Sequence, residues 1–218
     1  MAEYVKYYLF LTFFLGQAIL NRSLFPCQDT PAVKTPYQAT VRLIEKLVYV
    51  ILSYLWLTNH RFFMMMMTTI FSIRAPSHLL VLMSALVSGE PTDVSDGIKE
   101  HKFQQPIPIP SYLVAFAVGD LEAKDIGPRS RVYAEKEHIE KAAFDFSETE
   151  DKLKIAEKLC GPYLWSRYDI LVLPSSFAFG GMENPCLTFV TPTLLTGRVD
   201  KGFLGTKCRH LFTVLIRI

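Results

Sequence analysis

The stretch SETEDKLKIAEKLCGP, residues 147–162, followed shortly by YDILVLP, residues 168–174, constrains the fold more than any other feature. Ser147 and Glu150 have the S-x-x-E spacing in which each side chain can satisfy the other residue's free amide at a helix start. Leu153, Ala156, Leu159 and Cys160 follow at helical spacing, Gly161 supplies a left-handed stop and Pro162 prevents continuation. The spacing predicts a helix over 147–160. YDILVLP is a continuous apolar run of the kind found in strands covered on both faces. A helix feeding such a strand requires layers of α and β structure.

The preceding half of the chain carries strand signals only. YQATV, residues 37–41, alternates after the Pro-punctuated stretch LFPCQDTPAVKTP. RAPSHLLVLMSALV, residues 74–87, is an apolar run with a Pro-bounded entry, and SGEPTDVSDG, residues 88–97, reads as a polar turn-rich loop. A strand is expected at Tyr112–Val118, between Pro110 and Gly119, and another in SRVYAE, residues 130–135. The order is β-rich text followed by mixed text, an α+β chain with a boundary near Gly119–Asp120. Residues 1–119 and 120–218 form the two expected domains.

Two segments fit this scheme poorly. LIEKLVYVILSYLWLTNHRFFMMMMTTIFSI, residues 43–73, has 21 apolar residues of 31. Its longest run free of charge and nearly all apolar, Leu47–Leu57 broken only by Ser53, is shorter than the roughly 20 residues of a membrane span. Asn59, His60 and Arg61 then interrupt it, and the MMMMTT run follows no amphipathic period. YYLFLTFFLGQAIL, residues 7–20, is apolar like a signal peptide but has no net positive charge before it and no small-residue cleavage site after it. The sequon Asn21-Arg22-Ser23 would matter only in a secreted chain. A net charge of +2, from 23 basic and 21 acidic residues, argues against a nucleic-acid partner. Cys27, Cys160, Cys186 and Cys208 lie too far apart in sequence for a zinc knuckle and read as buried or incidental thiols.

Chemistry concentrates in FAFGGMENPC, residues 177–186. A glycine pair lets another backbone approach closely, and an extended peptide can add to such an edge main chain to main chain. Glu183 would offer its carboxylate to an ammonium group there. The plainer reading of G-G-x-E alone is a glycine bulge beside an exposed glutamate.

GGMENPCLTFVTPTLL closely resembles the G-x-M-E-N motif of the zinc aminopeptidase family, in its leukotriene A(4) hydrolase-like form. The likeness runs back through SETEDKLKIAEKLCGPYLWSRYDILVLPSSFAF and YLVAFAVGDLEAKDIGPRS, and recurs in QAILNRSLFPCQDTPAVKTPYQATV. Residues 16–41 and 74–197 are covered. The resemblance implies an N-terminal antiparallel β domain followed by the first part of a thermolysin-like catalytic domain, both incomplete. It implies that Glu183 binds the substrate's α-amino group and that Gly180, Gly181 and Met182 align its backbone. Asn184 completes the motif, and Gln17 and Ala18 match a stretch lining the same pocket. Phe179 stands where leukotriene A(4) hydrolase has a tyrosine. Pro26, Cys27, Asp29 and Pro31 match a segment with a structural role, and Asp29 is expected to cap local backbone.

The family's zinc sits on H-E-x-x-H with a downstream glutamate. Here His60, His78, His101, His138 and His210 include no two four apart, and Cys208 with His210 is a lone pair. Zinc lowers the pKa of its water from about 15.7 to about 7, creating the nucleophile. The sequence therefore predicts an anchor for peptide N-termini with no metal site, no general base and no hydrolysis. Joining Val41 to Arg74 would restore family-like text, so residues 42–73 read as an insertion, and the tail 198–218 also departs from the family. Both suggest read-through at exon boundaries or a variant transcript, with YYLFLTFFLG as a third such piece. With covering helices missing, Ile170–Leu173 and Leu187–Val190 are expected to lose packing partners and the isolated chain to be poorly soluble. The expected location is the cytoplasm. Two other readings remain open: a protein anchored in a membrane through 43–73, and a non-catalytic peptide-binding regulator.

Overall fold

A computed structural model describes residues 6–7, 11–23, 27–39, 41–44, 47–50, 72–76, 78–95 and 98–196. The chain divides into two compact units, Met1–Asp120 and Leu121–Ile218.

The first unit is built from strands. They are Lys6–Tyr7 (β1), Leu11–Leu15 (β2), Lys34–Ala39 (β3), Val41–Ile44 (β4), Leu47–Val50 (β5) and Ser72–Pro76 (β6). Leu80–Met83 (β7), Leu86–Val87 (β8), Thr92–Ser95 (β9), Ile98–Pro110 (β10) and Ala115–Gly119 (β11) follow. One sheet has the order β1-β2-β11-β7, and the other runs β3-β10-β6-β4-β5 with β8 and β9 also on β10. The apolar stretch near the start is part of the first sheet: Leu11, Phe13, Phe14 and Leu15 are buried in β2, and Phe14 stacks on Phe116 of β11 at 5.7 Å. Ser84 ties the strands together. Its carbonyl accepts from the Tyr37 hydroxyl (2.8 Å) and from Gln105 Nε2 (3.0 Å), and its hydroxyl accepts from the Ala115 N–H (2.9 Å).

Within the block 43–73, the strands β4, β5 and the start of β6 are described, and residues 51–71, including MMMMTT, lie outside the described residues. The parallel register places Arg42 opposite Arg74, so the backbone returns beside the point where it left. No helix among the described residues is long and apolar enough to cross a membrane. The expected polar loop at 88–97 contains β9, which finds ladder partners on the long strand β10. The strand expected from Tyr112 starts later, because Ser111–Leu113 forms a turn of 3-10 helix before β11.

The second unit contains Glu122–Gly127 (β12), Ser130–Ala134 (β13), Ile139–Asp145 (α1), Thr149–Cys160 (α2), Tyr168–Val172 (β14), Gly181–Met182 (β15) and Cys186–Val190 (β16). Its sheet has the order β12-β13-β14-β16-β15. β13, β14 and β16 run parallel, with β12 and β15 antiparallel at the two ends. α1 and α2 form the crossover between β13 and β14. Ile139, Ala142, Phe146 and Leu153 pack onto Val132, Ala134, Tyr168, Ile170, Val172 and Val190. Ile170–Leu173 and Leu187–Val190 are buried, against the expectation that they lose their cover, and the helices cover the face that carries Ile170, Val172 and Val190. α1, which the sequence reading lacked, supplies much of the covering surface.

α2 starts two residues later than expected and without the reciprocal cap. Ser147 Oγ donates to the Phe144 carbonyl at 2.8 Å and Thr149 Oγ1 to the Phe146 carbonyl at 2.6 Å. The carbonyls left free at the end of α1 outcompete the amides at the start of α2. Glu150 turns instead to Arg129, whose guanidinium also forks onto Glu157 at 2.8 and 2.6 Å. That pair ties the β12–β13 turn to the helix. Gly161 ends α2 at φ +94°, a value open to glycine, and its N–H bonds the Glu157 carbonyl. Of the expected apolar face only Leu153 is fully buried, whereas Leu159 and Cys160 are exposed.

Candidate functional site

The motif residues lie at the β15 edge of the second sheet. β15 pairs antiparallel with β16, Gly181 opposite Val190 and Met182 opposite Phe189. Among the described strands nothing pairs with its other side.

The pairing pattern fixes which backbone groups face that open side. In an antiparallel ladder, residues alternate between pairs that exchange hydrogen bonds and pairs whose N–H and C=O point away from each other. The Thr191 N–H donates to the Gly180 carbonyl at 3.2 Å, and the Val190 carbonyl turns away to accept from Leu173 at 2.9 Å. Gly181–Val190 is therefore a pair of the second kind, and Met182–Phe189 of the first. Continued along the hairpin, the same register sets Glu183 opposite Thr188 and Asn184 opposite Leu187. The Leu187 N–H donates to the Asn184 carbonyl at 3.2 Å, as the alternation requires. Pro185 and Cys186 make the two-residue turn, with Cys186 at φ +66°. Gly181 and Glu183 thus both direct N–H and C=O outward along the open edge.

The side chains complete the geometry. A Cβ added at Gly180 would meet nothing within 4 Å, so the chain's own packing does not demand glycine there. Phe179 is 37% exposed and packs edge-on against Phe177 at 5.7 Å, which in turn meets Phe189 at 6.4 Å. Glu183 is half-buried and has no hydrogen bond or ion pair with the described residues. Asn184 is 0% exposed, and neither amide atom has a partner among the described residues.

Phe179, Gly180, Gly181, Met182, Glu183 and Asn184 are thus brought together on one edge. Gln17 and Ala18 belong to the other unit. Gln17 is half-buried with its N–H bonded to Asn21 Oδ1 at 3.0 Å, and Ala18 is exposed. Gly16, before them, is required: a Cβ would lie 2.5 Å from the Tyr112 carbonyl oxygen. Sequence reasoning missed the outward-facing backbone at residues 181 and 183, and the buried hydroxyls of Tyr168 and Thr188 behind the edge. The period-two spacing of Tyr168 with Ile170 and of Thr188 with Val190 was the signal for their shared sheet face.

The chain is 44% identical over 182 residues to leukotriene A-4 hydrolase of Xenopus laevis, an alignment covering 83% of this chain and 25% of that protein. With aminopeptidase B of Homo sapiens it shares 42% identity over 183 residues, covering 84% and 22% respectively. The solved structure of native yeast LTA4 hydrolase superposes with a TM-score of 0.64 at 33% identity, covering 92% of this chain and 26% of that one. The chain belongs to the zinc aminopeptidase family of leukotriene A-4 hydrolase and aminopeptidase B. It spans about a quarter of the length of these relatives. No protein-family model matches it. Yeast LTA4 hydrolase has also been solved in complex with bestatin. The first unit, antiparallel apart from the β4–β6 pair, followed by a mixed unit agrees with the α+β fold that the family resemblance implies.

The described residues do not fit the zinc implied by the family resemblance. No group of three or more His, Cys, Asp or Glu side chains among them is placed to hold a metal ion. Glu183 is a lone carboxylate, suited to an ammonium and insufficient as a metal cage.

Proposed function

We propose that the chain recognises the free amino end of an extended peptide and that, alone, it does not cleave it. The peptide would add a strand to the β15 edge, exchanging hydrogen bonds with Gly181 and Glu183, while its terminal ammonium meets the Glu183 carboxylate. The observation that carries this reading is the register of β15 on β16, which turns both backbone groups outward beside an otherwise unpaired carboxylate. The open space at Gly180 supports it, since a second backbone can approach there without displacing any described atom. So do the relatives: one is named aminopeptidase B, and yeast LTA4 hydrolase was solved with bestatin. The absence of cleavage follows from the residues of this chain, in which no two histidines stand four apart. A cytoplasmic location belongs to the same proposal.

Titration of the chain with an alanine-rich hexapeptide and its N-acetylated counterpart tests this. An ammonium–carboxylate hydrogen bond contributes about 1.5–3 kcal/mol, so the free peptide should bind about ten to a hundred times more tightly. Equal affinities would overturn the assignment of Glu183. Release of free alanine by the zinc-supplemented chain would overturn the absence of cleavage.

A further inference from the structure

Behind Glu183 lie two buried hydroxyls that neither the fold nor the motif explains. Tyr168 is 1% exposed and Thr188 is 0% exposed, and among the described residues neither hydroxyl has a hydrogen-bond partner. Apolar residues would pack as well and leave no polar atom uncompensated. The sheet register gives both a common direction. Thr188 sits opposite Glu183 in a pair of the close-set kind, so their side chains share one face. On the next strand Tyr168 pairs with Cys186 and Ile170 with Thr188, which places Tyr168 on that same face, diagonal to Thr188. Glu183 and Thr188 thus stand abreast of Ile170, with Tyr168 two residues along β14 on the same face.

We propose that Tyr168 is a positioning residue for Glu183, its hydroxyl set by Thr188 to donate to the carboxylate oxygen that a bound ammonium leaves free. The inference rests on the reading of Glu183 as an ammonium anchor. Burial pushes the Tyr168 hydroxyl up, the Thr188 hydroxyl opposes this, and the Glu183 carboxylate adds to it. The group therefore stays protonated and remains a donor. The two hydroxyls share one face of the sheet, Tyr168 diagonal to Thr188, and the proposed chain runs from Thr188 through Tyr168 to Glu183. Held this way, the carboxylate enters the site with one oxygen already fixed and loses less rotamer freedom when the peptide arrives.

The test is a double-mutant cycle on the chain, using Tyr168→Phe, Glu183→Gln and the combination, read as the ratio of the affinity for the free hexapeptide to that for the acetylated one. Tyr168→Phe should lower the ratio by about tenfold, and the double variant should match Glu183→Gln alone, because Tyr168 acts only through Glu183. A structural role for the hydroxyl would instead change both peptides alike and multiply with the Glu183 effect. A Tyr168→Phe ratio equal to that of the wild type, with Glu183→Gln still reduced, overturns this inference while sparing the anchor. A wild-type ratio of one overturns the anchor and this inference with it. If Tyr168→Phe lacks the wild-type thermal transition, Thr188→Val takes its place in the cycle, with the same non-additivity expected and additivity contradicting it.

Discussion

Asp29 in the first unit and Glu183 in the second are both carboxylates set beside exposed backbone, and their surroundings differ in kind. Asp29 is buried, and both of its oxygens are taken. Oδ2 accepts from the Arg22 N–H at 3.0 Å and the Arg22 guanidinium at 3.1 Å, and Oδ1 from the Ser111 hydroxyl at 3.0 Å. Burial opposes its charge, but these bonds together outweigh that and hold the carboxyl below its usual value. Glu183 is half-buried, meets no donor among the described residues and ends a strand whose outer side is open. A carboxylate saturated by its own chain closes a turn. One left unsatisfied at an open edge has acceptor capacity for something else.

Substitution separates the two most strongly in stability. Asp29→Ala leaves the Arg22 amide and the Ser111 hydroxyl without their acceptor and should destabilise the first unit by about 2 kcal/mol, measured by denaturant unfolding. Glu183→Gln should change stability by less than about 0.5 kcal/mol. Its effect belongs to binding: about a tenfold or greater loss of preference for a free over an acetylated amino end. A large stability loss from Glu183→Gln would erase the distinction.

Acid sharpens the same contrast. A carboxyl whose folded pKa lies below its unfolded value contributes stability that is full above the unfolded value and lost as pH falls through the folded one. Asp29, depressed from 3.8, should therefore withdraw its support below about pH 4. In the second unit Arg129, followed by the Tyr163 N–H, draws Glu157 down from 4.5 to about 2, so its contribution fades between those values. Thermal midpoints followed from pH 5 to 2 should fall less steeply in Asp29→Asn and Glu157→Gln than in the wild type. The smallest effect is expected at Gly180→Ala: stability within about 0.5 kcal/mol of wild type, because the added methyl meets nothing, and a few-fold weaker peptide affinity.

What the sequence revealed follows the range of each interaction. The end of α2 was legible because Gly161 acts within its own turn. The YDILVLP run was legible as a buried strand because five successive residues, Tyr168–Val172, are all buried. Asp29 caps nearby backbone at Arg22, as its type and Pro-rich context suggested. The capping box failed because its competitors, the Phe144 and Phe146 carbonyls, come from the end of α1 and the residue after it, and the seven residues of α1 are too short to show a period. The edge itself lay beyond pattern reading. G-G-M-E has no alternation of polarity, and only pairing with β16 decides that the Gly181 and Glu183 amides face outward while Met182 faces the ladder.

That register can be measured directly. Hydrogen exchange at the backbone amides of Gly181, Met182 and Glu183 should show Met182 protected in the chain alone, with Gly181 and Glu183 exchanging freely. Saturating hexapeptide with a free amino end should then protect Gly181 and Glu183, and the acetylated peptide should do so far less. Protection of Gly181 and Glu183 before any peptide is added, or no change with either peptide, would contradict an open edge that receives a peptide's amino end.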